Sequence, residues 1–378
     1  MQITLGKARW LVLLTMALVA AAVGRGWAQD LRGNQDDGKW HPTRAMLRLE
    51  DYAGSASCAA CHRAIFEQQK TSEMAQSGAR PAESPALIAH SAMSFQRGSY
   101  TYSLLREGGQ VIYTVNDEQD KIAEPVFIAL GANGQLYFFR HHGEYYRAAV
   151  TYSFSQGKLG LDEDFKVPAP ASLEAALGQR VTAESLRSCL RCHSPGTVAG
   201  DRFDLDHRVP GDDCESCHGP GAKHVAAMRA GKVGDSLIFN PAHLRPQEEL
   251  DFCGDCHHTS QQVKEGVFRG VRTVIPQAYR LAQSRCWNAA DPRSRCTFCH
   301  DPHAPLVREA AAQDAKCLAC HASSAAAPLR ADHPGKACPV GQKDCVHCHM
   351  PKVSVPGSTM AFTDHRIRIA PPGTPYPE

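Results

Sequence analysis

Hydrophobic and polar residues alternate along residues 99–115, a pattern typical of half-buried β-strands. The pair Gly108-Gly109 interrupts the alternation and predicts a tight turn between two antiparallel strands. Asn133-Gly134 and His142-Gly143 mark two further turns. Further strands are predicted at 126–130, 135–140 and 145–154. We expect a small antiparallel β unit over residues 95–165, then a linker at 163–170 and a short helix at 172–177.

The N-terminus has the pattern of a secretory signal peptide. Lys7 and Arg9 precede an apolar run at 10–23, and Gly26 and Ala28 are small residues that suit a cleavage site. The run is shorter than the roughly 20 residues that span a bilayer. We expect cleavage after Ala28 and a periplasmic mature chain without a membrane span; an uncleaved N-terminal anchor is the alternative.

The composition is poor in residues that fill a large core. Only 7% of the 378 residues are aromatic, and there are 30 Gly and 24 Pro. Something other than side chains is therefore expected to fill part of the interior. The 41 Lys and Arg against 39 Asp and Glu form no basic tract, which excludes nucleic-acid binding driven by phosphate attraction.

Fourteen of the 16 cysteines fall into seven copies of the pattern C-x-x-C-H. This pattern is the attachment motif of c-type haem. The copies are Cys58-Cys61-His62, Cys189-Cys192-His193, Cys214-Cys217-His218, Cys253-Cys256-His257, Cys296-Cys299-His300, Cys317-Cys320-His321 and Cys345-Cys348-His349.

The spacing suits the chemistry of covalent haem binding. Two thiols on one helical turn can each add to a haem vinyl group, and the following imidazole then becomes the proximal iron ligand. Zinc sites do not require His after every second Cys, a redox dithiol would occur once, and a disulfide framework would not repeat the triplet. We therefore predict seven covalently bound c-type haems as the cofactors.

The motifs are unevenly spaced. The first stands alone, since the second begins only at Cys189, whereas the last six all lie between Cys189 and His349. With so little chain around each haem, the porphyrins themselves are expected to form the core. The predicted organisation is a signal peptide (1–28), a first haem segment (29–94), the β unit (95–165), a six-haem domain (166–370) and a flexible Pro-rich tail (371–378). The predicted fold class is a multihaem cytochrome c, mainly α with much irregular coil.

Cys286 and Cys338 lie outside the motifs. In an oxidising compartment two remaining cysteines favour a disulfide. Two separate buried thiols are the alternative.

Twelve histidines remain after the seven proximal ones, which is enough to give every iron a second axial ligand. His224 and His303 follow a haem motif closely, after turns that let each reach a neighbouring iron. His258 directly follows a proximal His. The distal candidates are His224, His303, His365, His333, His258 and His207.

The first motif has no comparable His nearby. Met74 lies shortly after His62 and is a candidate distal ligand, with His90 as its rival. Two alternatives stay open: Met74 as a core residue, and a first haem open on one side.

From about residue 55 to residue 371, the chain resembles the bacterial periplasmic multihaem c-type cytochromes that include the tetrahaem electron acceptor of hydroxylamine oxidoreductase. The matching segments are CESCHGPGAKHV, NPAHL, LDFCGDCH, YRLAQSRCW, CTFCHDPH, CPVGQKDCVHCHMPK and FTDHRIRI. The resemblance implies an α-rich fold with stacked haem pairs and an electron-transfer role, and it supports His224, His303 and His365 as distal ligands. Thr359 and Met360 stand where relatives often offer a further His.

Two functions are compatible with these features. The first is an electron carrier without chemistry of its own, which exchanges electrons with a quinol-oxidising membrane complex, other cytochromes or a terminal reductase. The alternative is a reductase or oxidase of a small nitrogen or sulfur compound at a haem with an open axial site. For that site the chain offers Arg140, His141 and His142, or Tyr279 and Arg280. We expect the carrier rather than the enzyme.

Overall fold

The computed structural model describes most of the chain after Lys39. The predicted signal peptide, His207 and His333 lie outside the described residues, as does most of the predicted linker. The described residues are 40–43, 49–162, 165, 169–206, 210–232, 237–321, 338, 341–356, 358, 361–370 and 373–376.

A nine-stranded antiparallel sheet follows the first haem motif. Strands β2 to β8 are neighbours in chain order, β1 pairs with β5, and β9 pairs with β7. The two ends of this path, β2 and β8, come into contact, so the sheet curls around its core. The strands are β1 (Gly78–Ala79), β2 (Ala92–Arg97), β3 (Tyr100–Glu107), β4 (Gln110–Asn116), β5 (Lys121–Leu130), β6 (Gly134–His141), β7 (Glu144–Ser153), β8 (Lys158–Leu161) and β9 (Gly178–Val181).

The predicted alternation and turns are confirmed in the sheet. Val111, Tyr113 and Val115 are buried at every second position of β4. Gly108 and Gly109 both have positive φ, at 56° and 84°, as a tight hairpin between β3 and β4 requires.

The expectation of a mainly α fold with a small β unit is not confirmed. The sheet extends beyond residues 95–165 at both ends, because β1, β2 and β9 all contribute to it. Sequence reasoning missed four strands. The strands β1, β8 and β9 have only two to four residues each, too few to show an alternating pattern. Strand β2 has six residues and does alternate in burial, so its signal was present and was overlooked.

The sheet is covered on both faces. One face encloses a core that includes Tyr102, Tyr113 and Phe139, all completely buried. On the other face, Ile128 and Phe138 pack against Leu186 and Leu190 of helix α5. Helix α5 carries the second haem motif, so the sheet directly supports that motif.

Short helices carry the haem motifs through the rest of the chain. Two two-stranded sheets accompany them: β10 (Val198–Ala199) with β11 (Arg202–Phe203), and β12 (Lys352–Ser354) with β13 (Ala361–Thr363). No helix among the described residues is both long and apolar enough to span a membrane. The helices are α1 (Ser55–Ala59), α2 (Arg63–Gln69), α3 (Pro85–Ala89), α4 (Leu173–Ala176), α5 (Ala183–His193), α6 (Cys214–His218), α7 (Ala222–Arg229), α8 (Pro246–His257), α9 (Ser260–Lys264), α10 (Gln277–Ala282), α11 (Cys296–Cys299), α12 (Ala310–His321) and α13 (Cys345–His349).

Candidate functional site

Six of the seven motifs line one large cavity. Its volume is about 4220 Å³, several times the roughly 300–1,000 Å³ of an ordinary ligand pocket. Ile65, Leu306 and Val307 are each more than 40% exposed, and all three line this cavity. Apolar side chains therefore face a space that a set of flat, apolar groups such as porphyrins would fill.

Thiols of different motifs contact one another in four places. Cys58 of the first motif is hydrogen-bonded to Cys214 of the third, which raises the pKa of Cys58 and lowers that of Cys214 to about 7. The other thiol hydrogen bonds join the second motif to the fourth, the fourth to the fifth, and the sixth to the seventh. They are Cys192 with Cys256, Cys253 with Cys296, and Cys317 with Cys345.

Weaker interactions connect these pairs. The pKa of Cys256 is raised first by its hydrogen bond to Cys192 and by burial, and further by Cys217 of the third motif. Burial and then Cys317 of the sixth motif raise the pKa of Cys299 to about 11. The motifs therefore form one connected set in space.

The first motif is not isolated, although a long segment separates His62 from Cys189 of the second motif along the chain. The intervening segment folds into the sheet and returns the chain close to its starting point. The sequence distance was a poor guide because the sheet is an insertion in the chain and leaves the first and third motifs in contact.

Buried carboxylates join the same motif pairs. Glu215 of α6 accepts hydrogen bonds from the backbone N–H groups of Ala53 and Gly54, both at 2.7 Å, at the N-terminus of α1. It also accepts from Gly221 N–H at 2.6 Å, which holds the turn after the third motif. Burial raises the pKa of Glu215.

Two other motif pairs repeat this arrangement. Glu249 of α8 accepts from the Thr297 N–H of α11 at 2.9 Å. Asp314 of α12 accepts from the N–H groups of Asp344 and Cys345, at 2.6 and 2.8 Å, where α13 begins. In each case one motif helix supplies the N-terminal cap of another. Sequence reasoning missed these acids; the signal was a carboxylate inside the motif or three to four residues before its first Cys.

Two of the predicted distal histidines lie opposite proximal ones. The ring centroids of His218 and His303 are 6.1 Å apart, and those of His300 and His365 are 6.3 Å apart. A metal–imidazole bond is about 2 Å long, so two rings bound to opposite sides of one ion have centroids about 6 Å apart. Both spacings suit an iron held between the rings.

The hydrogen bonds of three histidine rings leave Nε2 unprotonated and able to bind a metal. Nδ1 of His218, His349 and His365 lies 3.0 Å from a backbone carbonyl oxygen in each case. Because a carbonyl can only accept, Nδ1 carries the proton and Nε2 keeps its lone pair. Burial lowers the pKa of His365 to about 4, so its ring is neutral at neutral pH, as a metal ligand must be. The donor set therefore fits c-type haem.

The other candidates are distributed less regularly. His224 lines the cavity, and its buried Nδ1 has no hydrogen-bond partner within the part of the chain that the structure describes. Met74 lines the same cavity as His62, whereas the rival His90 lies on the sheet, with Nε2 3.0 Å from the Tyr152 hydroxyl. His258 has a φ of 66°, and its ring packs against Phe268 at 4.6 Å.

Cys286 and Cys338 both line the cavity. Cys286 carries no disulfide in the structure. Burial and then Cys317 and Cys320 of the sixth motif raise its pKa. Residues 322–337 and 339–340, around Cys338, lie outside the described residues, and the disulfide stays a prediction.

The residues considered for substrate chemistry have other contacts. His141 lies between Glu124 and Glu174, at 2.7 and 3.1 Å, and Arg140 packs over Tyr145. Arg280 is 2% exposed and forms an ion pair with Asp364. None of these residues lines the described cavity.

The N-terminal part of the described chain also contacts the motifs, which sequence reasoning did not anticipate. Trp40 donates through Nε1 to the Ser216 carbonyl at 3.1 Å. Nδ1 of His41 lies 3.3 Å from Asp255, inside the fourth motif. Trp40 therefore lies against the third motif, and His41 against the fourth.

Comparisons with known proteins agree with this chemistry. The family model described as cytochrome c554 and c-prime matches residues 165–219, which contain the second and third motifs. The multihaem cytochrome MtrA of Shewanella baltica (strain OS185) is 23% identical over 211 residues, covering 50% of this chain and 55% of that protein. The chain thus spans about half the length of the curated relative it matches.

Among solved structures, the outer cell wall cytochrome OcwA shows a similarity to this chain. The matched part covers 55% of this chain and 37% of OcwA, with 15% sequence identity and a TM-score of 0.32. The attachment motifs, the family match and the similarity to MtrA together support a multihaem c-type cytochrome.

Proposed function

We propose that this chain is a periplasmic electron carrier with seven c-type haems, which passes electrons between redox partner proteins. The observation that carries the proposal is the connected set of contacts between neighbouring motifs. Bound haem would supply reversible one-electron chemistry. The role of the polypeptide would be to hold the attachment sites close together and to provide axial imidazoles.

The contacts support a route that does not follow the sequence. Its order is first, third, fourth, fifth, sixth and seventh motif, with the second beside the fourth as a branch. The second motif is also the one that packs on the sheet, through Leu186 and Leu190 of its helix. An electron entering at either end of the route would therefore pass the fourth motif before reaching the second.

The same proposal assigns two distal ligands. His303 would help to hold the third haem together with His218, and His365 would help to hold the fifth together with His300, since the paired ring centroids lie 6.1 and 6.3 Å apart. Two strong axial ligands suit a carrier, because a six-coordinate iron has no position for a substrate. Seven haems would also add about fourteen propionate groups, making the holoprotein acidic and its docking to basic partners sensitive to salt.

The first test is to count the haems and their spin states. Mass spectrometry and the pyridine haemochrome absorbance should give seven haems per chain, and low-temperature EPR of the oxidised protein should be almost entirely low-spin. The variant His303→Ala should add a high-spin signal equivalent to a single haem. His142→Ala, which removes an exposed ring on the sheet, is the control and should leave the spectrum unchanged.

The same preparation tests the catalytic alternative. A stoichiometric high-spin signal in the unmodified protein, with sustained turnover of nitrite or hydroxylamine, would replace the carrier with an enzyme. Complete, reversible oxidation and reduction of the haems without such turnover would support the carrier.

A further inference from the structure

Arg280 is unlike the other large side chains that the structure buries completely. The rest of that group are aromatic or aliphatic, and they belong to the sheet or to segments packed on it. Arg280 lies on α10, close to the haem cavity, and is 2% exposed. A buried guanidinium without a partner would be strongly destabilising, so its contacts are informative.

The guanidinium makes a two-point contact with Asp364. Nε donates to Oδ1 and Nη2 donates to Oδ2, each at 2.8 Å, and Asp364 is completely buried. Arg368 also donates to Asp364 Oδ2, and the Arg366 N–H donates to Oδ1 at 3.0 Å. Planar bidentate pairing fixes orientation as well as distance.

Tyr376 covers the other side of this pair. Its ring centroid lies 4.7 Å from the Arg280 guanidinium, and its hydroxyl lies 2.7 Å from Thr273 Oγ1. Tyr376 belongs to the tail expected to be flexible, so at least this residue of the tail is packed. The ring shields the ion pair from water and strengthens its electrostatic attraction.

Asp364 anchors the segment of residues 364–368, and this segment contacts two haem motifs. On one side, His365 follows Asp364 directly, and its ring lies 6.3 Å from that of His300 in the fifth motif. Ser284, one turn after Arg280, donates to the His365 carbonyl at 3.1 Å and accepts from the Ile367 N–H at 2.8 Å.

On the other side, the segment runs along the seventh motif. The Asp364 N–H donates to the backbone carbonyl of Pro351 at 3.0 Å, and the Arg368 N–H donates to the backbone carbonyl of His349 at 3.1 Å. In return, Nδ1 of His349 donates to the Arg368 carbonyl at 3.0 Å. Arg368 therefore sets the proton position and the ring orientation of a proximal histidine.

We propose that the Arg280–Asp364 pair positions two iron ligands at once: it holds His365 opposite His300 and the Arg368 carbonyl behind His349. The inference rests on the proposed function, because it takes the fifth and seventh motifs to carry haem. Arg280 and Asp364 are positioning residues, since they act through the two histidines. A change at the pair should alter the fifth and seventh haems together and leave the others unchanged.

Stability alone is a weak reason for this pair. A buried ion pair is often no more stabilising than apolar residues of the same volume, and the sheet of this same chain uses aromatic side chains in comparable positions. What an ion pair provides and an apolar cluster does not is a defined orientation for the segment that carries the ligands.

The test uses the full-length holoprotein and the variant Arg280→Lys, which keeps the charge but loses the two-point contact. His365→Ala supplies the reference spectrum for loss of the fifth distal ligand. The control is Arg147→Lys, which alters a second largely buried pair, Arg147 with Asp162 at 3.1 Å, within the sheet. EPR, redox titration and thermal unfolding are measured on each variant.

Arg280→Lys is expected to show part of the high-spin signal of His365→Ala and to shift two midpoint potentials. Arg147→Lys should lower the unfolding temperature without changing either readout. If Arg280→Lys lowers stability but leaves the EPR spectrum and all potentials as in the unmodified protein, the pair is only structural and the inference is wrong. If His365→Ala itself changes nothing, the failure lies in the proposed ligand instead.

A milder variant keeps the test decisive if Arg280→Lys does not fold. Arg368→Gln removes one contact of Asp364 and leaves the bidentate pair intact, and the Arg368 side chain is 15% exposed. It should shift the same two potentials in the same direction by a smaller amount. Potentials unchanged in Arg368→Gln, or shifted at other haems, would contradict the inference.

Discussion

The sheet region (residues 78–181) and the motif region (residues 183–370) fill their interiors in opposite ways. Of the twelve largest completely buried side chains, ten belong to the sheet region and an eleventh, Leu186, packs on it. The twelfth is Arg280, a charged residue. The motif region instead contains most of a cavity of about 4220 Å³ with half-exposed apolar side chains along it.

The difference shows that one composition can describe two kinds of interior. The low aromatic content of the whole chain reflects the motif region, whereas the sheet has a conventional core of Tyr, Phe, Leu and Val. The sheet region should therefore be stable through side-chain packing. The motif region should depend on its cofactors, as small metal-binding domains depend on their ions.

The largest effect should come from withholding haem. The full chain produced without haem attachment should keep its sheet and lose ordered structure in the motif region, because nothing else fills the cavity. Hydrogen exchange followed by mass spectrometry should show amides of β3 to β7 at least about 100-fold better protected than those of α8 and α12. Equal protection in both regions would contradict the comparison.

A core substitution in the sheet should lower the stability of the sheet region and leave the haem sites unchanged. Leu104→Ala removes a completely buried side chain and should cost about 2–5 kcal/mol of unfolding free energy, measured by denaturant and far-UV circular dichroism. The neighbouring Leu105 is 39% exposed on the opposite face, so Leu105→Ala should cost far less. The haem absorbance of folded Leu104→Ala should be unchanged; an altered spectrum would mean that the two regions are not independent.

The junction between the regions should be sensitive to a single methyl group. A Cβ on Gly78 would overlap the carbonyl of His193 in the second motif and Oγ of the following Ser194, so Gly78→Ala should cost about 1–3 kcal/mol and disturb one haem spectrum. Gly160→Ala is the matched control, since no atom lies within 4 Å of the added group. Similar stabilities for the two variants would show that the junction adjusts freely.

The smallest effect concerns pH and belongs to the sheet region alone. Burial opposes charge on His141, yet its hydrogen bonds to Glu124 and Glu174 prevail and raise its pKa. The resulting stability is fully present below about pH 6.5, the pKa of an unfolded His, and is lost as pH rises through the higher folded value.

Thermal unfolding between pH 6 and 8 tests this effect. Glu124→Gln should flatten the pH dependence by less than about 1 kcal/mol. Glu144→Gln, which alters the exposed pair with Arg180, is the control and should keep the slope of the unmodified protein. Equal slopes in all three proteins would remove His141 as the cause.

Local features of both regions could be predicted from the sequence. Alternation located β3 to β7, and the short turns after the third and fifth motifs pointed to His224 and His303. Long-range features could not be predicted. The contact of Cys58 with Cys214 depends on how the intervening sheet returns the chain, and Arg280 is buried by Asp364 and Tyr376, which both lie far from it along the chain.

The buried carboxylates have a consequence for how such a chain can be lengthened or shortened. Helices α1, α11 and α13 have only four or five residues, too short to be stable alone, and each receives its N-terminal cap from another motif helix. Deleting the sixth motif with Asp314 would also leave the seventh without its cap. Viable insertions and deletions in this region should therefore add or remove two motifs together, because a single motif taken from a pair leaves its partner helix uncapped.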